Sequence, residues 1–329
     1  MGALSVPRGT AVAEGSEPSV GDIEVDAGPE TREWRLDADR HGQRLDKVLA
    51  GLVPEFSRSH LQSLLAAGEV KLDGATAAVA SRKVKAGQQL SITLVPPAEA
   101  RAFTPQAMLL NIVHEDPHLL VIHKPAGLVV HPAAGNWSGT LLNGLLAHDP
   151  QAARLPRAGI VHRLDKDTSG LMVVGRSLEA VTALIRDLAA RDIKRRYLAL
   201  AHGDVGSAPF TVDAPVGRDA VTRIRMAVTS AGKPARTDVF PLAFREGVSA
   251  VKCELHTGRT HQIRVHLASR GHPLVADAVY GGKPALGMRR QALHAAELEL
   301  AHPISRQPLS FRAPPPEDFA QAWFDVART

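Results

Sequence analysis

The chain has 329 residues, 44% apolar and 22% charged, with a net charge of +5 and a single cysteine. That length allows one large domain plus an appendage, while one cysteine excludes a disulfide framework. No apolar run is long enough to span a bilayer and the first residues lack the pattern of a secretory signal, so a non-membrane, cytoplasmic protein is expected. Residues 1–30 are rich in Gly, Pro, Ala and Ser and carry a charge of −5, which leaves +10 for the rest. The sequence predicts a disordered acidic tail there, and a basic body suited to a polyanionic partner. From Arg44, Leu45, Val48 and Leu49 recur at helical spacing, and a second helix is predicted after Ser57, a suitable N-cap, with Leu61, Leu64 and Leu65 inside. Gly68 to Gly74 alternates like a strand into an Asp-Gly turn, and Gln89 to Val95 alternates again.

These elements make a small α+β unit whose cations gather at the helix starts (Arg44, Lys47, Arg58) and before the last strand (Arg82, Lys83, Lys85), where phosphate contact is the expected use. Through Arg44-Leu45-Asp46, Ser57-Arg58 and the Gly-x-Val-x-Leu-x-Gly segment the unit resembles the S4 RNA-binding domain. Pro96 to Ala100 reads as a linker, so the expected organisation is 1–30 tail, 31–100 S4-like domain with linker, and 101–329 a second domain. In the latter, strands are predicted at Leu119 to His123, Gly159 to Val161, Leu171 to Val174, Tyr197 to Ala201 and Ile263 to Leu267, and helices at Thr140 to His148 and Leu178 to Ala190. The fold class expected is α+β with a mixed or antiparallel sheet. Alternation around Cys253 puts it in a strand, as a small core residue rather than a nucleophile.

The densest chemistry lies in His162-Arg163-Leu164-Asp165-Lys166-Asp167-Thr168-Ser169-Gly170, predicted to form a loop held between two strands. Its residues alone allow a divalent-cation site on Asp165 and Asp167, a pair of carboxylates working as acid and base, or a plain Asp-rich turn. His256, His261 and His266 invite a zinc reading, but a spacing of five misses the i, i+4 geometry of helical zinc pairs.

Gly159 to Leu171 as a whole resembles the catalytic motif of the Rlu branch of pseudouridine synthases. Lys124-Pro125-Ala126-Gly127, Lys194-Arg195-Arg196-Tyr197, Thr257-Gly258-Arg259-Thr260-His261-Gln262-Ile263-Arg264, Pro273 to Asp277 and Arg290 to Ala295 extend the likeness in order over about residues 42 to 315. Val130 to Asn136 and Pro156 to Gly159 are nearest in wording to family members that act on a stem-loop of large-subunit ribosomal RNA. Ala134 departs from a common glycine, which bears on loop shape only.

The resemblance implies isomerisation of uridine with no cofactor and no metal. It makes Asp165 the essential carboxylate, Arg264 its cationic partner, Tyr197 the residue stacked on the base, and Arg163 the side chain that enters the space left by the extruded nucleotide. It also implies a monomer acting on large-subunit ribosomal RNA or a ribosome assembly intermediate. Two other readings stand beside it: an inactive RNA-binding assembly factor, and a metal-dependent nucleotide or sugar transferase built on Asp165 and Asp167.

Overall fold

The computed structural model describes residues 30–95, 102–133, 135–222 and 225–328; the acidic tail up to residue 29, the Pro96 to Ala100 linker and Ala134 lie outside them. Two compact units are present, Met1–Pro97 and Ala98–Thr329.

The smaller unit runs β1 (Glu30–Arg35), α1 (Leu45–Leu52), α2 (Arg58–Ala66), β2 (Val70–Leu72), β3 (Ala75–Thr76) and β4 (Gln89–Leu94). Its sheet is antiparallel in the order β1-β4-β2-β3. Glu30, placed in the tail from composition, is instead the first residue of β1, paired with Leu94; the backbone ladder holds it whatever its side chain prefers. Helix α1 buries Leu45, Val48 and Leu49, and Ser57 caps α2 by accepting from the His60 N–H at 3.3 Å. The β2 to β3 turn places Asp73 and Gly74 at φ of 52° and 79°, as a two-residue hairpin turn requires. The core is wholly apolar, from Leu36 through Leu94.

The larger unit contains β5 (Ile112–Glu115), β6 (Leu119–Lys124), α3 (Leu141–His148), β7 (Ser169–Gly175), α4 (Leu178–Ala190), β8 (Lys194–His202), β9 (Phe210–Asp213), β10 (Val216–Arg218), β11 (Met226–Val228), β12 (Arg236–Arg245), β13 (Val248–Leu255), α5 (Gln262–Ser269), β14 (Leu293–Ala301), β15 (Pro308–Arg312) and α6 (Glu317–Ala327). Nine strands form one sheet in the order β5-β6-β7-β14-β8-β13-β12-β9, with β15 also on β14. The β7 to β14 pairing is parallel and the other pairings are antiparallel, so the sheet is mixed. Among the described residues no helix is long and apolar enough to cross a membrane.

Two segments differ from the sequence reading. Ile263 to Leu267 is not a strand but the middle of α5, where every residue from Gln262 to Leu267 is buried. A helix buried on all sides leaves no 3.6-residue rhythm, and its short apolar run is then indistinguishable from an inner strand. Gly159 to Val161 is not a strand either. Pro156–Gly159 is a tight turn with Arg157, Ala158 and Gly159 at positive φ, after which Ile160 makes one isolated bridge to Val174.

The candidate active site

The registers align Cys253, Tyr197, Ala295, Gly170 and Lys124 in one row across five neighbouring strands. The polar segment leaves the sheet immediately before that row. Gly170, at φ 120°, allows β7 to approach β14: a Cβ there would lie 2.2 Å from the Ala295 carbonyl oxygen.

The loop is anchored from several sides. Leu164 is buried in the main apolar cluster, between an exposed Arg163 and a partly buried Asp165. The buried Lys124 ammonium donates to the carbonyls of Pro125, Leu128 and Lys166 at 2.8, 2.9 and 2.9 Å. Burial pushes its pKa down to about 7, against the opposing charges of Asp167 and Asp165. Arg290 donates to the Asp167 carbonyl at 2.9 Å, and the Ser169 hydroxyl bonds His294 Nδ1 at 2.9 Å. The Lys-Pro and Arg-Gln-Ala-Leu-His segments noted in the sequence thus hold the loop in place.

Asp165 meets Arg264, brought from α5: Arg264 Nη1 donates to Asp165 Oδ2 at 3.0 Å. The other edge of the guanidinium grips Asp277 through Nε at 2.7 Å and Nη2 at 2.9 Å, and its Cζ lies 5.0 Å from the Tyr280 ring centre. Burial opposes the charge on Arg264, but the bond to Asp277 and the charge of Asp165 hold its pKa above the usual arginine value. A cation fixed from two directions presents one pre-aimed N–H pair to Asp165, whose position then needs no reorganisation. His261, the left-handed N-cap of α5, completes the surround, with Nε2 3.8 Å from Asp165 Oδ1 and Nδ1 2.8 Å from the Tyr280 hydroxyl. Burial lowers the pKa of His261, so the ring is neutral at neutral pH.

Asp165 lines a cavity of about 930 Å³ together with Tyr197, Arg163 and Arg264. Among the described residues five arginines besides Arg264 line it (Arg157, Arg163, Arg191, Arg195, Arg259), against Asp165 as the one lining carboxylate. His131 and His162 are held down to about 4 and about 3 by burial and by neighbouring arginines, so the positive charge of the wall is carried by guanidinium groups. Tyr197 is 5% exposed, and burial raises its phenol pKa, keeping it protonated. Arg163 is exposed and makes no side-chain hydrogen bond or ion pair among the described residues.

The three candidates Asp165, Tyr197 and Arg264 are thus brought to one cavity from a loop, a central strand and a helix. Arg44, Lys47, Arg58, Arg82, Lys83 and Lys85 are exposed on the smaller unit, with Arg44 paired to Asp46 at 2.7 Å. Asp277 and Lys124 stand in the sequence only as members of motifs, His261 only as a motif member and zinc candidate, and Tyr280 in no motif. No local signal reveals them, because their partners lie many residues away. The zinc reading of the histidines does not survive. His256 is bound to Asp238, His261 to Tyr280, and His266 to Thr237 and the Ala214 carbonyl. Among the described residues no group of three His, Cys, Asp or Glu side chains is placed to hold a metal ion. Cys253 is fully buried in β13 and its thiol is pushed up to about 12, which leaves it no nucleophilic role.

Comparison with known proteins agrees with this architecture. Residues 118–269 match the family model of the RNA pseudouridylate synthases and residues 43–90 that of the S4 domain. The ribosomal large subunit pseudouridine synthase D of Neisseria meningitidis serogroup B is 49% identical over 292 residues, which cover 84% of this chain and 77% of that protein. The protein of the same name from Haemophilus influenzae is 46% identical, covering 85% and 90%. Among solved structures, human RNA pseudouridylate synthase domain containing 1 superposes with a TM-score of 0.51 at 28% identity, covering 63% of this chain and 84% of that one. The chain therefore belongs to the RNA pseudouridylate synthase family and carries an S4 domain in its smaller unit.

Proposed function

We propose that this protein isomerises uridine to pseudouridine in large-subunit ribosomal RNA, with Asp165 as the reacting carboxylate. The observation that carries the reading is the pairing of Asp165 with Arg264 at 3.0 Å in an arginine-lined cavity of about 930 Å³, in front of Tyr197. Relatives named for large-subunit ribosomal RNA support the target.

The reaction breaks C1′–N1 with the electron pair leaving on the base, turns the base, bonds C1′ to C5, loses the C5 proton and gains one on N1. Asp165 acts as a carboxylate, either adding to C1′ or taking the C2′ proton, and Arg264 balances its charge out of bulk water. Tyr197 supplies the surface on which the extruded base stacks, a contact worth about 1 to 3 kcal/mol. Arg163, exposed at the cavity, would occupy the vacated stack and so offset part of the few kcal/mol that extrusion costs. Atoms and electrons balance within the substrate, so the reading calls for no metal and no cofactor. Every reacting group it uses lies in the larger unit of one chain, which supports a monomer, and the reading takes the protein to act in the cytoplasm. Arg44, Lys47, Arg58, Arg82, Lys83 and Lys85 would meet RNA phosphates. The convergence of Asp165, Tyr197 and Arg264 disfavours an inactive assembly factor.

Asp165→Asn tests the assignment, because it keeps the shape and one acceptor for Arg264 while removing the carboxylate. Transcribed ribosomal RNA fragments should then show no pseudouridine although RNA affinity stays near that of the unaltered protein. Continued modification by the variant overturns the assignment.

A further inference from the structure

One buried guanidinium in the cavity has no counter-ion among the described residues. Arg195, on β8, is 7% exposed; its Nε is buried without a hydrogen-bond partner, and the side chain makes no ion pair or hydrogen bond among the described residues. Its neighbours differ. Arg264 is held by two carboxylates, and Arg196, facing away, is held by Glu254, Glu297 and Glu299. Burying a cation unpaired is costly, and arginine does not escape the cost by losing its proton at ordinary pH. The arrangement therefore needs an anion that arrives.

Two further observations mark the place. His162 Nε2 accepts from the Val173 N–H at 3.0 Å, so the proton sits on Nδ1, which is also buried without a partner. Gly258 has an ordinary φ, but a Cβ there would lie 2.8 Å from Arg195 Nη1, so the missing side chain makes room for the guanidinium. Arg195 and Tyr197 are two residues apart on one strand and share its cavity-facing side. The Tyr197 phenol feels the charges of both Arg195 and Asp165.

We propose that Arg195 is a further catalytic residue, whose guanidinium takes up the negative charge carried by the uracil ring while it is detached from the ribose. The inference rests on the pseudouridine reading. When C1′–N1 breaks, its electron pair spreads over N1, O2 and O4 of the base. That charge forms whether Asp165 adds to C1′ or removes the C2′ proton, and it is quenched when C5 bonds C1′; the C5 proton then leaves and N1 takes one up. A base stacked on Tyr197 lies beside the uncommitted cation, with the His162 Nδ1–H as a second donor. Arg264 is already saturated by carboxylates and cannot serve.

The competing occupant is an RNA backbone phosphate, a permanent anion, and it predicts a different result. Arg195→Gln, Arg195→Lys and Gly258→Ala are compared with the unaltered protein for RNA affinity at several salt concentrations and for single-turnover pseudouridine formation at saturating enzyme. Loss of one preorganised donor should slow the Gln variant about 100-fold at saturation, with affinity and salt slope unchanged. Lys should restore part of the rate, and the alanine, which displaces the guanidinium without removing it, should slow the reaction too. Weaker binding with a salt slope shallower by about 0.7 and an unchanged saturated rate assigns Arg195 to a phosphate and overturns the proposal. An unchanged rate with unchanged affinity also overturns it. If the Gln variant fails to fold by thermal unfolding, the Lys and Gly258→Ala variants, which keep the charge, decide by the same criteria. Absence of pseudouridine with the unaltered protein would instead overturn the function on which the inference stands.

Discussion

The two units use ion pairs of equal length in opposite ways. Arg44 and Asp46 of the smaller unit meet at 2.7 Å with the arginine side chain 49% exposed; Arg264 and Asp277 of the larger unit meet at 2.7 Å with 6% and 1% exposed. The first pair is screened by water and salt and holds little. The second lies where charges interact strongly and where loss of one partner strands the other. The same contrast runs through both units: among the described residues every buried polar or charged side chain, from Lys124 to His294, belongs to the larger one. The smaller unit offers charge on a closed apolar core, as suits a sequence-tolerant grip on phosphate. The larger one stores oriented charge inside, as suits stabilising a reacting centre.

The largest expected effect breaks the inner pair. Asp277→Asn should lower stability by about 3 to 5 kcal/mol, the cost of stranding a buried charge, and should slow single-turnover pseudouridine formation by freeing Arg264 from its aim at Asp165. Asp46→Asn should leave both measurements unchanged. Denaturant unfolding and rate measurements on the two variants compare the pairs directly, and equal effects would refute the contrast.

Acid should find the larger unit next. His131 and His294 are held down to about 4 and His162 to about 3, all below the unfolded value of 6.5. Between those values and 6.5 the unfolded chain binds protons that the folded chain does not. The stability contributed by these neutral rings is thus present above pH 6.5 and is lost as pH falls toward 4. Hydrogen exchange from pH 7 to 4.5 should show protection falling around His131, His162 and His294. Constant protection across that range would contradict the burial argument.

The mildest effect concerns the outer charges. Replacing Arg82, Lys83 and Lys85 together with Gln should weaken RNA binding and flatten its salt dependence by up to about 2 log units per log salt, while the rate at saturating enzyme stays the same. A slowed saturated rate would mean that these side chains do more than hold RNA.

The amphipathic and capped elements were legible in the sequence: α1 and α2 through spaced leucines and the Ser57 cap, α3 after Thr140, α4, and the strands β6, β7 and β8. The helices expose one face or carry a cap, while β6 and β7, buried almost throughout, are legible as short apolar runs of strand length. The strand β1 and helix α6 are not legible in the sequence pattern, and α5 reads as a strand because burial on all sides erases periodicity. Asp165, Tyr197 and Arg264 were singled out through motif likeness; spacing alone left Asp165 as a plain turn residue or half of a metal pair.

By itself, then, the sequence determined the family, the order of elements and the small set of side chains able to react. Only the tertiary structure decided which of the cavity's two buried arginines is committed and which is free. That distinction depends on carboxylates such as Asp277, 13 residues from Arg264, and Asp165, 99 residues from it. Charge pairing acts through distance in space, and a chain folded into a nine-stranded mixed sheet makes such distances independent of separation along the sequence.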